Sequence, residues 1–128
     1  LTPFPMTQWL SIALGGAAGA VCRAGVTVWL AGKYPWATLV VNLTGSFLIG
    51  VILGLEGAAA AGRPALRFFL ATGFCGAFTT FSTFSYQTLA LLSQGQPTAA
   101  AINIAASVGG CLVAVWLGIV LANSLLIR

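Results

Sequence analysis

The sequence predicts an all-α membrane protein of four transmembrane helices, the third broken mid-membrane, assembled as an antiparallel dual-topology homodimer. The chain of 128 residues is 59% hydrophobic and 5% charged, with a mean hydropathy of +1.04, against the roughly 25% charged residues of an ordinary globular domain. From Phe68 to Ile127 there is no Lys, Arg, Asp, Glu or His. Within that stretch lies Gly76-Ala77-Phe78-Thr79-Thr80-Phe81-Ser82-Thr83-Phe84-Ser85, dense in hydroxyls and aromatic rings. Polar groups and a broken helix are expensive in a bilayer unless they line a pathway, so this run points to transport. A hydrocarbon core about 30 Å thick takes roughly 20 residues per crossing, which leaves room for about four helices and no soluble catalytic module. Residues 1–128 are therefore read as one four-helix transmembrane domain.

Charged and turn residues divide the chain. The first helix runs from Gln8 to Ala31 and stops at Gly32-Lys33-Tyr34-Pro35; the second runs from Trp36 to Leu55 and stops at Glu56 and the Ala/Gly stretch before Arg63-Pro64. The third starts near Pro64, a residue suited to a first helical turn, and ends around Ser93-Gln94-Gly95-Gln96-Pro97. The fourth fills Thr98 to Ile127. A cleaved signal peptide competes for the first helix, but no basic residue precedes Arg23 and the apolar stretch exceeds a short h-region. It is read as a retained helix, with the chain starting either as given, at Leu1, or at Met6.

Small-xxx-small spacings at Gly15/Gly19, Gly50/Gly54 and Ala114/Gly118 mark close helix approaches and carry no chemical role. Four short helices barely enclose a hydrophilic path, so an oligomer is expected. On one side of the membrane fall the N-terminus, Arg63, Arg67 and Arg128; on the other fall Lys33 and, near the end of the first helix, Arg23. With almost no positive-inside bias, neither orientation is favoured, and insertion both ways permits an antiparallel dimer with its two-fold axis in the membrane plane.

Enzyme readings fail on composition. There is no His, no Asp and one Glu, Glu56, at a helix end, so acid/base or nucleophile–base chemistry has nothing to use. Cys22, Cys75 and Cys111 sit one per helix with no CxxC, and read as small buried thiols. The net charge of +4 comes from dispersed Arg and Lys, not from a basic patch of the kind that binds nucleic acid.

Intramembrane polar residues are then left to carry the function. Asn42 lies midway along the second helix, and Asn103, Ser107 and Cys111 share one face of the fourth at i, i+4, i+8 spacing. Any one of them is ordinarily an interhelical hydrogen bond; several neutral donors in line are not. In the third helix, glycines at 73 and 76 followed by Thr79-Thr80 predict a break near 76 to 80. Carbonyls at its C-terminal end suit a cation, and N–H groups at the start of the next half-helix suit an anion. Phe81 and Phe84 share a face beyond it. Two such rings are ordinarily packing, yet their edges, the positive part of the ring quadrupole, can also attract an anion.

The run from Gly73 to Ser85, together with Thr38-Leu39-Val40-Val41-Asn42-Leu43-Thr44-Gly45-Ser46-Phe47 and Gly15-Gly16-Ala17-Ala18-Gly19-Ala20-Val21-Cys22-Arg23, resembles the Fluc fluoride channel family, also called CrcB. The resemblance spans the whole chain. It implies a dual-topology dimer in the bacterial inner membrane, with two antiparallel pores that passively let cytoplasmic fluoride out and so confer fluoride resistance, and with a central structural sodium ion. Residue by residue it implies Phe81 and Phe84 as ring-edge fluoride ligands, Asn42 as an amide donor, and Thr38, Thr83 and Ser107 as a polar track. It further implies Gly76 and Thr79 as carbonyl ligands of sodium, and Arg23 at an aqueous vestibule. Gln87 stands where the family commonly has Glu, Asn103 where Tyr is common, and Cys111 where a Ser can continue the track. Fluoride, membrane lipid and a second copy of the chain are the implied partners.

Chemistry agrees with the resemblance. Fluoride is small and strongly hydrated, so a selective pore should replace its shell with many weak neutral donors and avoid a fixed charge that would trap it. A four-helix multidrug transporter of similar size would need an intramembrane carboxylate for proton coupling, which the first helix lacks. A non-transporting assembly subunit leaves the broken polar helix without a purpose.

Overall fold

Among the described residues of the computed structural model, three helices are long and apolar enough to cross a membrane: α1 (Met6–Trp29), α2 (Trp36–Leu55) and α6 (Pro97–Leu126). The structure describes residues 4–32, 35–55 and 63–127; Lys33, Glu56, the Ala/Gly stretch after it and Arg128, on which part of the charge reading rests, lie outside them. Between α2 and α6 the chain forms α3 (Pro64–Arg67), a π-helical run over Phe68–Cys75, α4 (Gly76–Phe78) and α5 (Phe81–Ser93). No strand occurs among the described residues.

The expected boundaries hold to within about two residues, because Pro and Gly and the loss of apolar runs punctuate the chain where helices stop. Pro64 occupies the first turn of α3 and Pro97 that of α6, where a missing N–H costs nothing. The third segment differs more from its expectation. It does break, at Thr79 (φ −86°, ψ 157°) and Thr80 (φ −151°, ψ 112°), both extended. Ahead of the break, however, the helix widens to π geometry, with the Gly76 N–H donating to the Ala71 carbonyl five residues back. Nothing in the residue types announces that widening.

Glycine decides which helices touch. A Cβ on Gly15 would meet the Phe69 carbonyl, and one on Gly19 would meet the Phe74 carbonyl, so α1 lies directly on the backbone of the π run. Gly73 returns the contact, facing Ile12 and Gly15. The most extensive helix pair is α2 with α6, where Gly50 faces the Val115 backbone, Gly118 faces Phe47 and Val51, and Gly54 faces Ala122 and Ile119. All three small-xxx-small spacings thus include a glycine at a real close approach; Gly109, by contrast, faces open space. The outer faces carry exposed apolar side chains, among them Val28, Trp29, Leu112 and Trp116.

Candidate ion site at the helix break

In an unbroken helix the Thr80 N–H would close on the Gly76 carbonyl, and the Thr83 N–H on that of Thr79. Here both are diverted. Thr80 donates its N–H to Asn42 Oδ1 at 2.7 Å, and Asn42 Nδ2 donates back to the Thr80 carbonyl at 3.1 Å. The Thr83 N–H donates to Thr80 Oγ1 at 3.2 Å, making Thr80 the N-cap of α5. The same hydroxyl donates to Thr83 Oγ1 at 3.0 Å and lies 3.2 Å from Ser82 Oγ. Gly76 and Thr79 are left with carbonyls that lack their helical partners. That of Thr79 accepts a long bond, 3.5 Å, from Arg23 Nη1. The negative end of α4 and the positive end of α5 therefore meet at one point.

Beside the break opens a groove of about 410 Å³. Asn42 and Ser46 of α2 form one wall, Thr79 and Thr80 the end, Phe81 and Phe84 of α5 another wall, and Ser107 and Cys111 of α6 the fourth side. No charged side chain lines it among the described residues. Gly45 makes it possible, since a Cβ there would strike the Thr79 methyl and crowd the Phe78 ring. Ser107 is 6% exposed and its Oγ has no hydrogen-bond partner, an open donor in a largely apolar wall. Phe81 and Phe84 stand with ring centroids 5.3 Å apart at 49°; Phe84 is buried, whereas Phe81 is 76% exposed. Asn42 has two amide hydrogens and gives one to Thr80.

Of the residues singled out in the sequence, Asn42, Phe81, Phe84, Ser107, Gly76 and Thr79 all come together on this groove. Thr38 is buried one turn before Asn42 and lies outside its wall. Thr83 is exposed and bonded to Thr80, and Arg23 is half-buried behind the break. Asn103 departs from the expected row with Ser107 and Cys111: it is 2% exposed and donates from Nδ2 to Thr88 Oγ1 at 2.9 Å, away from the groove. Ser46 and Thr88 escaped the sequence reading as site residues, and Thr80 entered it only as part of the break. Thr80 had a usable signal, a cap residue directly before an apolar-periodic run; Thr88 had none.

Among the described residues no group of three or more His, Cys, Asp or Glu could hold a metal, and Cys22, Cys75 and Cys111 are free thiols. A cation at the break would depend on the backbone. Two neutral carbonyl oxygens relieved of their helical hydrogen bonds suit a hard monovalent ion, and thus fit the sodium role that the resemblance implied for Gly76 and Thr79.

The profile of the family described as "CrcB-like protein, Camphor Resistance (CrcB)" matches residues 10–119. A "Fluoride-specific ion channel FluC" of Geobacter sulfurreducens is 48% identical over 124 residues, covering 94% of this chain and 100% of that protein. Proteins of the same name are 48% identical in Methylocella silvestris, over 90% of this chain and 92% of the relative, and 44% identical in Citrifermentans bemidjiense, over 94% and 100%. With a match that runs from α1 through most of α6 and relatives aligned over nearly their whole length, the chain belongs to the CrcB family.

Proposed function

We propose that this chain is a fluoride-selective channel that lets cytoplasmic fluoride out passively, through a path that runs along the groove beside the helix break. As a CrcB family member it is a multi-pass membrane protein of bacterial type that serves ion transport and is not an enzyme. The observation that carries the reading is the donor set of the groove: the unpartnered Ser107 hydroxyl, the uncommitted Asn42 N–H, the N-terminal end of α5 and two phenylalanine rings, with no charged side chain among the described residues that line it. Such donors replace the hydration shell of a small anion without trapping it. Thr38 and Thr83 extend the polar lining, and Arg23 draws anions toward the mouth.

In the proposed assembly all four segments cross the bilayer, and two chains pair in opposite orientations with their breaks facing each other. Carbonyls of Gly76 and Thr79 from both copies then hold one structural sodium ion, which supplies a fixed positive charge that ties the breaks together. Phe81, largely exposed in one protomer, is covered or brought to the pore by the second. Efflux from liposomes containing the purified protein tests the reading: fluoride should leave rapidly and chloride should not. Absence of fluoride flux from a correctly assembled preparation removes it.

A further inference from the structure

Asn103 lies outside the groove, yet the structure ties it to the groove's wall. It is 2% exposed on α6 and donates from Nδ2 to Thr88 Oγ1 at 2.9 Å. Thr88, 8% exposed, has a single hydroxyl proton and spends it on the Phe84 carbonyl at 2.8 Å. Its lone pair is thereby left to accept from Asn103, and the two bonds make a short buried chain from α6 to the backbone of Phe84, whose ring lines the groove. One turn along α6 the Ser107 hydroxyl has no such partner. The Asn103–Thr88 bond joins the side chains of α5 and α6 directly.

We infer that Asn103 acts through Thr88 as a positioning residue, which sets α5 against α6 so that Phe84 and the Ser107 hydroxyl face the same anion. This rests on the proposed path. A bond between two buried neutral groups fixes register because sliding α5 by one residue would strand both in an apolar contact. The same residues explain why Asn103 cannot itself join the row of Ser107 and Cys111: its amide is turned toward α5.

The test uses full-length protein in liposomes and compares Thr88→Val, Thr88→Ser and the double variant Asn103→Leu with Thr88→Val, each also prepared with para-fluorophenylalanine at Phe84. Thr88→Val is isosteric and breaks both bonds; fluoride flux should fall roughly three- to tenfold in intact assemblies, the scale of one interhelical hydrogen bond in a membrane protein. Thr88→Ser should restore it. The double variant leaves no buried polar group unpaired and should recover stability without recovering flux. Should Thr88→Val fail to assemble, the double variant carries the same comparison. The fluorine resonance at Phe84 should shift in the Val variants and return in the Ser variant, a readout that does not depend on conduction. Native flux in Thr88→Val, or full recovery of flux in the double variant, overturns the inference. If the native protein conducts no fluoride, the proposed function fails instead, and an unmoved Phe84 resonance in Thr88→Val separately refutes the positioning role.

Discussion

Asn42 holds Thr80 by both ends of its backbone, accepting the N–H at 2.7 Å and donating to the carbonyl at 3.1 Å. A side-chain amide thereby stands in for the peptide that the broken helix no longer supplies. The same residue that presents a donor to the groove also keeps the groove's end in place.

Both roles predict different damage from different substitutions. Asn42→Ala strips Thr80 of both partners and should cost about 1–3 kcal/mol of stability, the penalty for unsatisfied half-buried peptide groups, read as a lowered melting temperature in detergent. Asn42→Asp keeps the acceptor for the Thr80 N–H but places a carboxylate beside the anion path. Its assembly should survive while fluoride flux falls at least about tenfold, equivalent to about 1.4 kcal/mol. Native flux in Asn42→Asp would place the path elsewhere.

Phe81 and Phe84 differ in burial, which separates packing from ligation. Phe81→Ile, at a position 76% exposed in the protomer, should change the stability of the protomer by within about 0.5 kcal/mol. Phe84→Ile, at a buried position, should cost under about 1.5 kcal/mol. If ring edges meet fluoride, flux should drop sharply in both variants although the proposed dimer still forms on a sizing column. Retained flux in both would reduce the rings to packing.

Glycine substitutions should sort by what the new Cβ meets. Gly15→Ala and Gly118→Ala drive a methyl into the backbone of a neighbouring segment and should destabilise by about 1–3 kcal/mol. Gly109→Ala meets nothing and should be neutral or stabilising by up to about 1 kcal/mol, since alanine favours the helix. Thermal denaturation of the three variants checks the order; equal costs would contradict the assigned packing.

Sodium and topology are tested together. If the proposed assembly forms, cysteines introduced at loop positions should label from both sides of the membrane, and replacing sodium with a bulky organic cation should lower the melting temperature, as loss of a ligand bound only by the folded state requires. The proposed ligands are backbone carbonyls, which a side-chain substitution leaves in place, so the effect should persist in Gly76→Ala, whose new Cβ would meet only the Ala71 carbonyl at 4.0 Å. Single-sided labelling would contradict dual topology, and a melting temperature indifferent to sodium would contradict the ion.

Much of this was legible from residue types alone. The absence of charge from Phe68 to Ile127 places the chain in a membrane. Pro, Gly and the ends of apolar runs mark helix boundaries, because those residues change backbone preference locally. Glycines followed by two threonines mark the break for the same reason, and the motif around Phe81 and Phe84 identifies the family. Helical periodicity also puts Asn103, Ser107 and Cys111 on one face. It says which residues share a face and is silent on what faces them. Only the tertiary structure decided that Asn103 reaches Thr88 while Ser107 stays unpartnered, that Asn42 reaches Thr80, and that α1 presses on a widened π run. Each of those outcomes depends on an approach between separate segments; glycine permits it where α1 meets the π run and where Gly45 of α2 sits against Thr79, and no local preference of the residues involved encodes it.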